Sequence, residues 1–340
     1  ELVLVASLCS QLADTHRSVV LPGRTLKQQA VPITFGLVAA RWLGMVDRRM
    51  SHLDATKDRI LAVQLGGAAG TLGVFPDDGV AVMDALAAEL GLAAPDLPWH
   101  AERDRIIELA GVLQAVATVT GKIARDIIDL AATEVGEIIT SPGRGPGSSA
   151  MPHKGRNPVD AMAARAASRL ALGELQVLVH AASDHEHERA AGAWQAEWVA
   201  VPSAMVRTIG AVERLRAALE IVEVVADRGR RNLAENLDLP ASEALAAALA
   251  PHLGWPRAQA LVTEVVATAI EEGIPLAQAA TNDPRLVELL DGKIDEVCDP
   301  SAGLSNVDAL IDRALATHGA LVGPTDGHDP APGRTRGGHE

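Results

Sequence analysis

Tyrosine is absent from the 340 residues, and two Phe and five Trp are the whole aromatic complement. Sheet cores draw on aromatic and β-branched side chains, so a sandwich or barrel is excluded in favour of packed helices rich in Ala and Leu. Cysteine is nearly missing too: Cys9 and Cys298 stand far apart. That is no disulfide framework, and a reduced cytoplasmic chain is expected. No run of 18 apolar residues occurs, so no membrane span is expected. Nor is there a basic excess: 30 Lys and Arg face 44 Asp and Glu, for a net charge of -14. This excludes bulk attraction to nucleic acid or anionic lipid. The opening ELVLVASLCSQLADTHRS lacks the basic stretch and cleavage site of a secretory leader. It reads as the later part of an amphipathic helix.

What is present is 48% hydrophobic and 22% charged residues, the balance of a globular protein with a real core. Apolar residues recur at helical spacing almost throughout, which predicts helices over about 1–18, 34–64, 78–91, 101–133, 158–182 and 186–226. LPGRTLKQQAVP reads as a loop after the first helix, and LGGAAGTLG (65–73) as a turn structure. Helices beyond about 25 residues point to an elongated bundle. The expected organisation is a central long-helix domain over 1–235, a small helical C-terminal domain over 236–320 and a disordered tail over 321–340.

GPGSSAMPHKGRNPVDAM is the most informative segment. Two hydroxyls, Ser148 and Ser149, precede Pro152, and His153, Lys154 and Arg156 follow before Asn157 opens a helix. No acidic residue occurs between Ile138 and Val159. Backbone N–H groups, a helix start and these cations suit an anion. A second acid-free stretch, 18–46, holds Arg24, Lys27 and Arg41. Two such islands in an acidic chain suggest a polyanionic substrate, and solvated loops carrying charge by chance are the competing explanation.

GSSAMPHKGRNP resembles the signature loop of the fumarase/aspartase superfamily, G-S-S-x-M-P-x-K-x-N-P. GRTLKQQAVPITFG (23–36) is similar to a second element of that superfamily, and KIARDIIDLAATEVGEI (122–138) to the helix leading into the loop. The resemblance implies an all-α fold, a long-helix bundle with a smaller helical C-terminal domain, assembled as a homotetramer with shared active sites. Where several branches carry a His after R-T, this chain has Leu26. With HERAAGAWQAEW (187–198), that makes it most similar to the branch that closes 3-carboxy-cis,cis-muconate to 4-carboxymuconolactone. The alternatives are a β-elimination enzyme like adenylosuccinate lyase, against which Leu26 counts, and an inactive scaffold of the same fold.

By this resemblance Ser148 moves the proton and Lys154 supports it. Arg24, Thr25, Gln28, Ser149, Met151, His153 and Asn157 bind the substrate. No metal or organic cofactor is implied, because the substrate supplies its own nucleophile. Two departures stand out. Gly155 and Arg156 both separate Lys154 from Asn157, where the signature has a single residue. No counterpart of the superfamily's H-x-G-A-T-S-Q-D motif occurs in the sequence. Of the other candidates, His185 and His187 are too close in register to share a helix face as metal ligands. Glu134 and Glu137 read as a solvated helix end, Trp194 and Trp198 as packing or site lining, and the two cysteines as buried thiols.

Overall fold

Long helices form wherever Ala, Leu, Ile and Val recur every third or fourth position, and the computed structural model describes residues 1–140, 151 and 157–323. The central bundle contains α1 (Leu2–Thr15), α2 (Phe35–Ile60), α4 (Asp104–Leu130), α5 (Val159–Ser183) and α6 (Ala193–Glu220), with the shorter α3 (Gly79–Leu90) off one end. Thr34 starts α2, its hydroxyl accepting from the Leu37 amide at 3.1 Å. Behind that cap Phe35 meets Trp42 edge to face at 5.8 Å, and both rings are fully buried with Leu43, Ile123 and Ile127. The Trp42 indole N–H is not wasted: it donates to Asp126 at 2.8 Å. On α5 and α6 the buried positions are mostly alanines, such as Ala161, Ala164, Ala200 and Ala204, which let two helices lie close along their length.

Several expected boundaries shift. The segment from 186 is not helical, because Gly192 turns the chain at φ 114° and α6 begins only at Ala193. After Glu220 a short α7 (Ala226–Glu235) stands alone, preceded by β4 (Glu223–Val224), which pairs with β3 (Ile138–Ile139). The stretch expected as a loop is an antiparallel hairpin of β1 (Val20–Thr25) and β2 (Gln28–Thr34), turned by Leu26 and Lys27. Both turn residues have positive φ, 51° and 70°, the geometry usually supplied by Asn-Gly. Pro22, Gly23 and Pro32 disguise the strands, and a register shift between Pro22 and Arg24 accommodates them. A second core is built from α8 (Ser242–Leu253), α9 (Trp255–Glu272), α10 (Leu276–Asn282), α11 (Pro284–Leu290) and α12 (Ile294–Cys298) around Leu245, Leu249, Leu276 and Leu286.

The last helix, α13 (Val307–Val322), was expected in that smaller unit and instead returns to the central bundle. Val307 and Ile311 join the main core, Arg17 reaches Asp312 at 2.6 Å, and His318 meets buried Asp47 at 2.9 Å. The expected tail from 321 therefore starts inside this helix, and 324–340 lie outside the described residues. One sequence expectation needs correction on hydropathy as well. Although no uninterrupted apolar run exists, α4 is long and apolar enough to cross a membrane by length and composition. In this fold it is a bundle helix against α2, α5 and α6, and Glu108 within it is held by Arg59 at 2.8 Å.

Gly229 brings α7 against β1. A Cβ there would lie 2.4 Å from the Val20 carbonyl oxygen and 3.0 Å from the Leu21 Cα, and backbone has little room to yield. Gly229→Ala is expected to lower stability by about 1–3 kcal/mol, as overpacking does, measured by denaturant unfolding. Both cysteines are buried and free. Burial raises the thiol of Cys9, with Asp47 adding to the effect, and pushes Cys298 up to about 11, with Asp295 and Asp238 adding. A thiol reagent at about pH 8 should label neither in the folded protein and both after denaturation; labelling of either native thiol would contradict this packing.

Candidate active site

Arg24 leaves β1 next to the hairpin turn and points at Glu137, the residue before β3. Its guanidinium grips the carboxylate with both ends, Nη1 to Oε2 at 2.9 Å and Nη2 to Oε1 at 2.6 Å. Glu137 is 1% exposed, so the expected solvated helix end is wrong for this residue. A carboxylate so buried must be matched by cations and N–H donors. Asn232 of α7 supplies a further donor to Oε1 at 2.7 Å and also donates to the Val135 carbonyl at 2.9 Å. Gln29 ties the hairpin's second strand to the Asn232 carbonyl at 3.0 Å. Arg228 holds the carbonyls of Glu134 and Val135, at 3.1 Å each.

The turn beyond this node faces outward. Thr25, Leu26, Lys27 and Gln28 are all exposed, Leu26 at 97%. Lys27 reaches Asp129 at the end of α4, which Arg125 also contacts at 2.9 Å. Burial pushes the Asp129 carboxyl up, but hydrogen bonds from Arg125 and Lys27 outweigh it and hold it below its usual value. A polar cleft of about 360 Å³ runs past Arg24, Gln28, Gln29, Asn232 and Asn236.

A second charged cluster sits at the other end of α4. Arg103, before the first turn, forks onto Glu197 of α6, with Nε to Oε1 at 3.0 Å and Nη2 to Oε2. His185 approaches the same carboxylate at 3.3 Å, and all three side chains are buried. His185 thus packs against the Arg103–Glu197 pair, and no group of three or more potential metal ligands occurs among the described residues. Beside it the Arg189 guanidinium lies 5.0 Å over the Trp194 ring and donates to the Gly67 carbonyl at 3.2 Å. Trp194 and Trp198 meet edge to face at 5.2 Å, with Trp198 largely exposed.

Of the residues expected at the site, Arg24, Thr25 and Gln28 come together on the hairpin, with Arg24 committed to Glu137. Asn157 stands two residues before the start of α5, and Pro158 occupies the cap position with no side-chain cap, so Asn157 does not open that helix as expected. Met151 is exposed. Ser148, Ser149, His153 and Lys154 lie outside the described residues. Sequence reasoning missed Glu137 and Asn232. The one signal that could have found Glu137 is its place between the helix and the acid-free segment, opposite in charge to everything that follows up to Val159.

The comparisons with known proteins fit this architecture. Residues 3–173 match the family described as Lyase, and residues 238–314 match that of the adenylosuccinate lyase C-terminus. The chain belongs to this lyase family, the fumarase/aspartase type its motifs resemble. Among its relatives, the 3-carboxy-cis,cis-muconate cycloisomerase of Pseudomonas aeruginosa is 39% identical over 334 residues, covering 98% of this chain and 71% of the relative. A nitrosuccinate lyase of Streptomyces davaonensis is 40% identical over 325 residues, covering 91% of this chain and 67% of the relative. The crystal structure of 3-carboxy-cis,cis-muconate lactonizing enzyme from Pseudomonas putida superposes with a TM-score of 0.87 at 36% identity, covering 95% of this chain and 71% of that one.

The Arg103–Glu197 pair offers a direct check of the energetics. Glu197→Ala strands a buried guanidinium and is expected to cost about 3–5 kcal/mol in chemical denaturation. Asp54→Ala, which removes the partner of Lys57 in an exposed pair, should change stability by less than about 1 kcal/mol. Equal effects would show that burial adds nothing to the cost of breaking the Arg103–Glu197 pair.

Proposed function

We propose that this protein is a cofactor-independent cycloisomerase converting 3-carboxy-cis,cis-muconate to 4-carboxymuconolactone, working in the cytoplasm as a homotetramer. The observation that carries the reading is likeness over almost the whole chain, in sequence and in fold, to enzymes named for that substrate. Leu26 supports it, since the branches with a His there perform other reactions.

In the reaction a substrate carboxylate oxygen adds to one carbon of a conjugated C=C bond, and the neighbouring carbon gains a proton. One C–O and one C–H bond form, the C=C π bond is consumed, and one proton is taken up. Seen in reverse, removal of that proton loads negative charge onto an adjacent carboxylate, and preorganised cations and N–H donors are the means of stabilising it. Ser148 transfers the proton. A serine hydroxyl is a weak acid and a weak base, so Lys154 and backbone amides of the glycine-rich segment activate it. Lys154 and Asn157 hold a substrate carboxylate, with Ser149, Met151 and His153 alongside; Thr25 and Gln28 belong to the opposite wall. The substrate supplies the nucleophile, so the step requires no metal or organic cofactor.

Sharing of sites between subunits is supported by the length of α4. Its 27 residues span about 40 Å, and they separate the hairpin from the Arg189–Trp198 segment. The hairpin and the Trp-rich segment, held at opposite ends of α4, thus cannot line one pocket within a single chain, whereas an antiparallel neighbour would bring them together. A second reading, a β-elimination lyase, is favoured by the likeness to nitrosuccinate lyase and by the match of 238–314 to the adenylosuccinate lyase C-terminus.

The test is the ultraviolet decay of 3-carboxy-cis,cis-muconate with the purified protein beside Ser148→Ala. Loss of the diene absorbance with the parent, and at least a 100-fold slower loss with the variant, is expected. Turnover of adenylosuccinate or nitrosuccinate without loss of the muconate would replace this reading with the second one.

A further inference from the structure

We infer that Arg24 serves the reaction as a positioning residue, acting through Glu137 and Asn232, and is not a ligand of the substrate. The inference rests on the function proposed above. Its basis is geometric. Both terminal nitrogens of Arg24 are engaged by one carboxylate, at 2.9 and 2.6 Å, and Nη1 also reaches the Pro22 carbonyl at 3.2 Å. That carboxylate is 1% exposed and sits at the root of β3, so it has no water to exchange for its partner. A substrate carboxylate would have to compete for the guanidinium against a fixed internal anion, and winning would leave Glu137 buried and short of its cation.

The node joins three pieces of chain that are remote in sequence. The Glu137 backbone fastens to the end of α4 and to α7: its amide donates to the Leu130 carbonyl at 3.0 Å and its carbonyl accepts from Val225 at 2.9 Å. Asn232 binds the Glu137 side chain and the Val135 carbonyl while its own carbonyl accepts from Gln29. The hairpin is therefore clamped on both strands immediately below its turn, at the paired positions Arg24 and Gln29. Above the clamp only Thr25 to Gln28 project, with the positive-φ pair Leu26 and Lys27 between them. Non-glycine residues in that conformation persist where the surroundings over-determine it. The clamp supplies that constraint, and what it aims is Thr25 and Gln28, the two residues assigned to the substrate wall.

Three variants of the full-length chain test this: Glu137→Gln, Arg24→Lys and Asn232→Ala, with the pair Glu137→Gln/Arg24→Lys. A positioning role predicts that Glu137→Gln and Arg24→Lys each lower kcat by about 10- to 100-fold, with KM within roughly threefold of the parent. The double variant should be little worse than the worse single one, because the two act as a unit. A substrate ligand predicts the opposite split: Arg24→Lys raises KM, Glu137→Gln changes KM little, and the effects multiply. The second readout does not need turnover. Amide hydrogen exchange at residues 25–29 should speed up by roughly tenfold or more in each variant, while the buried amides of α2 and α4 stay protected. Unchanged exchange in the hairpin overturns the inference. So does an Arg24→Lys effect confined to KM. If the parent does not turn over the muconate, the function proposed above fails and the exchange arm alone decides the positioning role. Asn232→Ala removes one neutral donor and leaves the ion pair, so it keeps the test open if Glu137→Gln does not fold.

Discussion

A carboxylate placed where water cannot reach it dictates much of the architecture at one end of this bundle. Glu137 is such a group. Keeping it charged requires several donors converging from different parts of the chain, and each donor brings a secondary-structure element with it. Arg24 brings β1, Asn232 brings α7, and Gln29 links β2 back to Asn232. Gly229 is the steric condition for this arrangement. Any larger residue there would hold α7 away from β1 and pull Asn232 off the carboxylate. The local packing, the hairpin register and the direction of the exposed turn are thus consequences of one desolvated charge.

Helix length sets the next constraint. Hairpin and Glu137 lie at the C-terminal end of α4, while Arg103, Glu197 and His185 lie at its N-terminal end. Both ends use the same device, a buried glutamate forked by an arginine, to lock non-helical segments onto the ends of long helices. Between the ends the bundle offers few polar groups and many alanines, and it leaves apolar side chains on its outside. Val199, Met205, Val206 and Ile209 of α6 and Leu170 and Val177 of α5 are exposed in the single chain. Such faces gain from cover. A multi-subunit assembly built along these helices would cover them and would join hairpin turns to Trp-rich ends in the same step, which is the economy behind the shared site proposed above.

The helices were legible because their signal is periodic and redundant. Phe35, Ala39, Trp42, Leu43 and Val46 mark the buried face of α2 without any knowledge of what they touch. Elements set by tertiary contact were not. Nothing local in Leu26-Lys27 announces a hairpin turn, and the prolines in both strands argue against strands altogether. The true start of α6 is hidden because His187 to Ala191 have acceptable helix propensity, and the breaks lie in the backbone, at the positive φ of His187 and of Gly192. α13 shows the same limit on a larger scale. Its amphipathic pattern says that one side is buried, while Arg17 and Asp47, some three hundred residues away in sequence, decide against which core. In the site, motif likeness identified the hairpin residues but could not distinguish an arginine that meets substrate from one that meets Glu137.

That distinction changes how an acidic protein would hold a triply charged substrate. Two of the cations nearest the hairpin and the Trp-rich end are already neutralised, Arg24 by Glu137 and Arg103 by Glu197, while Lys27 shares Asp129 with Arg125. Coulomb attraction from such pairs is weak a few ångströms away, because each is close to a dipole. The acid-free segment from Ile138 to Val159 is different, carrying Arg144, Lys154 and Arg156 with no anion of its own. In the proposed reaction the developing charge is met there, where the cations belong to the same segment as the proton-transferring Ser148. The hairpin wall needs only to place neutral donors, Thr25 and Gln28, at a fixed distance. A hydrophobic residue at the tip is tolerable on that division of labour, since no general base is required of position 26. A branch that must take a proton from carbon on the hairpin side, or activate a leaving group there, has a use for His in that place. On the proposed reading Leu26 gives up that chemistry and keeps the geometry, with the clamp beneath it making geometry alone sufficient.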